Sequence, residues 1–225
     1  MNKELVKRLI SSIIMLPLVL IFMFSGSKLF MLFLSLVFIV TSYEWLKMCK
    51  KNFFLIVLGV SFLIFSFYTA YKLRDSTSID FFVFIIIICI FTDIGGYIFG
   101  KFFQGPKLTK ISPNKTYSGL IGSFLLPLIF TFIYKLFFIP PLNIISNFKL
   151  LQLNLSVDLT IIIFILIISL ISQLGDLIIS YFKRVAKIKD TGKILPGHGG
   201  LLDRIDGIIF AVPFTYMILN FGKII

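Results

Sequence analysis

Residues 172–206 read Ser-Gln-Leu-Gly-Asp-Leu-Ile-Ile-Ser-Tyr-Phe-Lys-Arg-Val-Ala-Lys-Ile-Lys-Asp-Thr-Gly-Lys-Ile-Leu-Pro-Gly-His-Gly-Gly-Leu-Leu-Asp-Arg-Ile-Asp. An apolar run from Leu159 leads into this stretch. Continued as a helix, it places Ser172, Asp176 and Ser180 at i, i+4 and i+8, and Lys183 and Lys187 at i+11 and i+15, all on one face. A carboxylate is thus carried inside an apolar helix that ends in the basic cluster Lys183, Arg184, Lys187, Lys189 and Lys193. The breaker-rich Pro196-Gly197-His198-Gly199-Gly200 that follows is able to turn Asp203 and Asp206 back towards Asp176. Carboxylates converging beside Lys and Arg point to hard divalent cations and phosphates together.

Outward from this stretch, composition sets the class. Hydrophobic residues make up 58% of the 225, including 28 Phe, against about 45–50% in a soluble domain. The expected fold is all-α, a polytopic integral membrane protein. A net charge of +12 on a soluble chain would suggest nucleic acid, but here the basic residues sit between apolar runs. Topology and anionic lipid head groups explain them better, and no nucleic-acid partner is expected. Two cysteines, Cys49 and Cys89, exclude a disulfide framework and a CxxC metal site. Lys3, Lys7 and Arg8 before an apolar run, followed by Ser25-Gly26-Ser27, have the look of a cleavable signal peptide; the same run fits a first spanning helix.

Seven apolar segments, near 9–24, 29–46, 53–71, 81–100, 119–138, 159–182 and 205–221, each approach the length that crosses about 30 Å of hydrocarbon. Counted over alternate connections, with Lys135 assigned to the outer side, sixteen Lys and Arg fall on one side and six on the other. The positive-inside rule then places the N-terminus and the loops 101–118 and 183–204 in the cytoplasm, and the C-terminus outside. Residues 1–80 read as N-terminal membrane helices, and residues 81–225 as the membrane domain that carries the chemistry. Glu44 and Trp45, at the end of the second segment, read as an interfacial anchor with Lys47 as partner, and the connection 72–80 as a solvated loop. The connection 139–158 shows no readable role.

Asp93 interrupts an apolar run, where a carboxylate costs at least a few kcal/mol unless paired, neutral or facing water. It is a candidate site residue. Gly96, Tyr97 and Gly100 share its helical face; close helix packing explains the glycines but not the aspartate. Gly95-x4-Gly100-Lys101 begins like a phosphate-binding P-loop, but Phe102 stands where that motif needs Ser or Thr, and the context is a membrane helix. The loop from Lys101 to Ser118 is basic, rich in hydroxyls and punctuated by Pro and Gly, a composition able to hold a phosphate or to serve as a plain basic loop.

The elements Ser180-x-x-Lys183-Arg184, Lys189-Asp190-x-Gly192, Leu195-Pro196-Gly197-His198-Gly199-Gly200 and Asp203-Arg204-x-Asp206 together resemble the C-terminal signature of phosphatidate cytidylyltransferases, membrane enzymes that make CDP-diacylglycerol from CTP and phosphatidate. Asp93-x-x-Gly96-Tyr97-x-x-Gly100-Lys101, followed by Ser112-Pro113-x-Lys115-Thr116, resembles the family's second block, with Gly96 where Ala is usual and Tyr117-Ser118 departing from the common pattern. The resemblance covers the C-terminal three-fifths. It implies catalytic roles for Asp176, Asp203, Lys183, Arg184, Lys189, Asp190 and Arg204. It implies substrate contacts from Asp93, Lys101, Ser112, Lys115, Thr116, Ser180, His198, Gly199 and Gly200. Metal ligation would fall to Asp176, Asp203 and Asp206, with magnesium as cofactor and a second cation site whose ion the sequence does not name. Asp190 either binds metal or orients Lys189, and His198 either donates to a phosphate or holds the turn. CTP, phosphatidate and membrane lipids are the expected partners in the cytoplasmic membrane, and small-residue faces permit a homodimer. Two other readings stand beside this one: a CTP-dependent polyprenol or phytol kinase, and a membrane ion transporter with Asp93 and Asp176 in its pathway.

Overall fold

The structure, a computed structural model, describes residues 13, 15, 17–50, 52–109, 111–137, 157–195, 197 and 199–221. The expectations for residues 1–12, for His198 and for most of the connection 139–158 lie outside the described residues.

The second to sixth apolar segments become α1 (Ser27–Met48), α2 (Phe53–Ser76), α3 (Ile79–Phe103), α4 (Tyr117–Phe137) and α5 (Val157–Val185). The seventh is divided into a short α6 (Leu202–Ile205) and α7 (Ile208–Phe221). Among the described residues, five helices are long and apolar enough to cross a membrane, and α7 is shorter at 14 residues. Of the first segment, residues 17–24 are helical. Among the described residues the regular structure is all helical, and the chain is an integral membrane protein.

Local chemistry sets the helix ends. The Asn52 side chain accepts from the Leu55 N–H at 3.3 Å, and the Ser78 hydroxyl accepts from the Phe81 N–H at 3.2 Å, so each satisfies a donor that the first turn leaves orphaned. The stretch 72–80 is therefore mostly helical rather than a loop, with Asp75, Ser76, Ser78 and Asp80 exposed as a solvated stretch would have them. α2 continues through Ser76 and α3 begins at Ile79, while Arg74 donates to the Met23 and Ser25 carbonyls and lies 4.9 Å above the Phe30 ring. Helix α5 ends in a Schellman closure, with Ile188 N–H donating to Lys183 O at 2.9 Å and Lys187 N–H to Arg184 O at 3.0 Å. Lys187 occupies the left-handed position, φ +56°, where glycine is usual. That turn takes Lys187 off the Asp176 face on which continued helical spacing had put it.

Lipid tails give helices no hydrophobic push towards one another, so close packing decides their pairing. Helices α3 and α4 meet through glycines: a Cβ at Gly95 would strike the Gly122 carbonyl, and one at Gly119 would lie 2.7 Å from the Gly96 carbonyl oxygen. Gly95 to Lys101 lies wholly within helical α3, as the rejection of a P-loop requires. Phe81, Phe84, Ile85 and Ile88 of α3 join Phe164, Ile165 and Ile168 of α5, with Leu73 and Ala211, in one buried cluster. A second cluster, with Trp45, Met48, Leu63, Ile179, Leu202 and Ile209, ties α1, α2, α5, α6 and α7 together next to the signature loop.

Candidate active site

Where α3, α4 and α5 meet the loops, a cavity of about 310 Å³ is walled by Asp93, Ser112, Asn114, Lys115, Thr116, Gln173, Asp176, Asp203 and Asp206 together with smaller and apolar residues. Both blocks of the sequence reading contribute to it. Asp93 comes from α3, and Asp176 with Gln173 from α5; the loop before α4 supplies Ser112, Lys115 and Thr116, and α6 with its exit supplies Asp203 and Asp206.

Two lysine–carboxylate pairs order the site. Lys115 Nζ lies 2.6 Å from Asp176 Oδ2 and 3.4 Å from the Gln173 carbonyl oxygen. Asp176 Oδ1 accepts from the Ser180 hydroxyl at 3.3 Å, one helical turn on, as the i, i+4 spacing requires. Lys183 Nζ donates to Asp203 Oδ1 at 2.8 Å. Asp203 Oδ2 accepts from the backbone N–H groups of Thr191 at 2.8 Å and Gly200 at 3.1 Å, with the Thr191 hydroxyl 3.0 Å away. The loop 191–200 is thereby folded around one carboxylate. Gly199, at φ +84°, accepts from the Leu195 N–H at 3.0 Å and makes the turn that a side chain would strain.

Asp176 and Asp203, expected to face one another, line the same cavity, each already paired with a lysine. Asp206, which is 7% exposed and accepts from the Gly207 N–H at 3.0 Å, lines the cavity with them. Carboxylates gathered around one cavity repel unless a proton or a cation lies between them. This donor set of hard oxygens fits magnesium, although among the described residues no group of three or more His, Cys, Asp or Glu side chains is already drawn together as a metal site.

Of the other residues named from the sequence, Arg184 braces the two loops by donating from Nε to the Ile111 carbonyl at 3.2 Å. The Thr116 hydroxyl accepts from the Gly119 N–H at 3.1 Å and starts α4. Lys101 lies over the Tyr97 ring, 5.7 Å from its centre. Lys189, Asp190 and Arg204 are exposed and do not form the cavity wall.

Two residues went unassigned. Gln173 is buried, lines the cavity, and its Nε2 has no hydrogen-bond partner among the described residues. Its place beside Ser172 on the approach to Asp176 was the signal. Glu44 is no interfacial anchor: it is 1% exposed and accepts from the Thr191 hydroxyl at 3.0 Å and from the N–H groups of Leu201 at 3.0 Å and Leu202 at 2.8 Å. The rule that singled out Asp93, an acid in an apolar segment, applied to Glu44 as well.

The sequence model of the Cytidylyltransferase family matches residues 51–221, a stretch that spans every wall of this cavity. The chain belongs to that family. Relatives within the cytidylyltransferases include the phosphatidate cytidylyltransferase of Staphylococcus saprophyticus, 34% identical over 190 residues, which are 83% of this chain and 67% of the relative. The proteins of the same name from Staphylococcus haemolyticus and Staphylococcus aureus are each 35% identical over the same shares. Asp93, Lys115, Asp176, Lys183, Asp203 and Asp206 all fall inside the stretch matched to the cytidylyltransferase family.

Proposed function

We propose that this chain transfers the cytidylyl group of CTP to phosphatidate, giving CDP-diacylglycerol and pyrophosphate. The observation that carries the reading is the cavity itself. Four carboxylates and a lysine converge there at the ends of apolar helices, so a water-borne nucleotide and a lipid phosphate can meet. The family match and the names of the relatives agree with it.

In the reaction an oxygen of the phosphatidate phosphate attacks the α-phosphorus of CTP. The new P–O bond forms as the bond to the β-phosphate oxygen breaks, and pyrophosphate leaves with that electron pair. The attacking phosphate is already ionised at neutral pH, so no general base is needed; the task is to neutralise and align two anions. Lys115 has three donors, of which Asp176 and the Gln173 carbonyl take two, leaving one for a phosphate oxygen. Lys183 offers its ammonium from the neighbouring pair with Asp203. Asp176 and Asp206, with Asp203 beside them, would hold magnesium, which when bound supplies neutralisation of the phosphate charge.

The excess of Lys and Arg on the loops 101–118 and 183–204 supports a site facing the cytoplasm in the cytoplasmic membrane. Residues 81–225 form the catalytic membrane domain in this reading, and the small-residue faces admit a homodimer. The test is a purified-protein assay with labelled CTP and either phosphatidate or a polyprenol, with and without magnesium. CDP-lipid and pyrophosphate support the proposal. CDP with a phosphorylated lipid alcohol would move the chain to the lipid kinases, and no turnover with either lipid would leave the transporter reading.

A further inference from the structure

Glu44 lies on α1, outside the residues 51–221 that match the family, and is joined to the signature loop across 147 to 158 positions of sequence. A buried carboxylate costs several kcal/mol unless its oxygens are satisfied, and here every recorded partner belongs to that loop. Oε1 accepts from the Leu201 N–H; Oε2 accepts from the Leu202 N–H and the Thr191 hydroxyl. The fit is tight on the far side as well. A Cβ at Gly192 would strike Glu44 Oε1, and one at Gly200 would lie 2.7 Å from Oε2. The Thr191 oxygen is 3.0 Å from Glu44 Oε2 and 3.0 Å from Asp203 Oδ2, so one hydroxyl links the two carboxylates. Asp203 in turn holds Lys183.

We infer that Glu44 is a positioning residue for cytidylyl transfer: it fixes the loop 191–202 from below, through Thr191 and the N–H groups of Leu201 and Leu202, so that Asp203 and Lys183 are held at the cavity. The inference deepens the proposed reaction and rests on it. Glu44 is buried and is not among the residues that wall the cavity, so its loss acts on alignment, which is felt in turnover more than in binding.

The experiment compares the full-length wild type with Glu44→Gln, Thr191→Val and the double variant, each in bilayers containing phosphatidate. It reads kcat, KM for CTP, and amide hydrogen exchange over residues 191–202. Glu44→Gln keeps the size of the side chain but turns an NH2 towards a backbone donor. The expected result is a fall in kcat of about 10- to 100-fold, in the range seen when outer-shell partners are removed, with KM for CTP changed less than about threefold. Exchange at 191 and 200–202 should speed up while helical content is unchanged, and the double variant should lose less than the product of the two single losses, because the two share the Thr191 hydroxyl. Wild-type kcat in Glu44→Gln, unaltered exchange at 191–202, or losses that multiply in the double variant would overturn the inference. A wild type that makes no CDP-lipid would instead defeat the proposed reaction, and the exchange readout still decides whether Glu44 orders the loop. If Glu44→Gln does not insert, Glu44→Asp carries the same test, since it keeps the charge and withdraws both oxygens by one methylene.

Discussion

Lys115, in the loop before α4, and Asp176, in the middle of the α5 signature face, meet at 2.6 Å, which joins two blocks of sequence separated by a whole membrane helix. The side chains are 24% and 27% exposed, so the pair is partly desolvated, and removing one member leaves the other charge short of a partner. Lys115→Ala is expected to lower stability by about 1–3 kcal/mol, because it strands a carboxylate. Asp176→Asn should cost less stability, yet reduce cytidylyl transfer by at least about 100-fold. Thermal unfolding in detergent and CTP turnover, measured on the same preparations, check the two orders against each other. Near-normal turnover in Asp176→Asn would move that residue to a packing role.

The glycines of α3 make a graded prediction. At Gly95 a new Cβ would run into the Gly122 backbone, whereas at Gly96 it would meet Ser123 Cβ at 3.7 Å and the Gly119 carbonyl oxygen at 3.8 Å, ordinary contact distances. Gly95→Ala should therefore destabilise by about 1–3 kcal/mol through overpacking. Gly96→Ala should stay within about 0.5 kcal/mol of the parent. Equal unfolding temperatures for the two variants would contradict this packing of α3 on α4.

Lys187 carries a side chain at φ +56°, a conformation that costs a residue with a Cβ about 1–2 kcal/mol. Lys187→Gly should relieve that cost, and the gain is partly offset by the greater freedom of glycine in the unfolded chain. The expected net effect is a gain of up to about 1 kcal/mol, with kcat within twofold of wild type, since Lys187 is exposed and outside the cavity wall. A lower unfolding temperature would contradict it.

The loop that supplies Ser112 to the cavity should be reached from the cytoplasm. Both native cysteines, Cys49 and Cys89, are buried, so a cysteine engineered at Ser112 will be labelled against a low background. Protection of Ser112→Cys from an impermeant thiol reagent applied outside intact cells, with labelling after lysis, is the expected outcome. Labelling from outside would reverse the topology.

Much of the site was legible because its chemistry is concentrated. Charges in an apolar chain are few, so Asp93 and Asp176 stood out, and the spacing of the signature put Ser180 and Lys183 on the Asp176 face, where the structure has them. The spans were legible from hydrophobic length, but their ends were not. Ser78 and Arg74 extend α2 and α3 towards each other through a cap and a set of carbonyl contacts that hydropathy does not register, and residues 72–80 look like a polar loop by composition alone. Glu44 was hidden for another reason. An acid followed by Trp45 and Lys47 at the end of a span has the composition of an interfacial anchor, and its true partners are more than 140 residues away. Asp203 showed the same limit from the other side: its residue type suggested a ligand, and only the geometry shows how many of its acceptor sites are taken by Lys183, Thr191 and Gly200.

The fit between Glu44 and the two glycines that back onto it couples distant parts of the chain. Neither Gly192 nor Gly200 has room for a methyl group: one at Gly192 would meet Glu44 Oε1 first, and one at Gly200 would meet Thr191 Oγ1 before Glu44 Oε2, so a side chain at 192 requires a shorter acid at 44, and one at 200 requires a change at 191 as well. In homologous sequences positions 44, 191, 192 and 200 should vary as a set. A chimera that joins the first 50 residues of one homologue to the remainder of another will fold its loop correctly only when that set comes from a single parent.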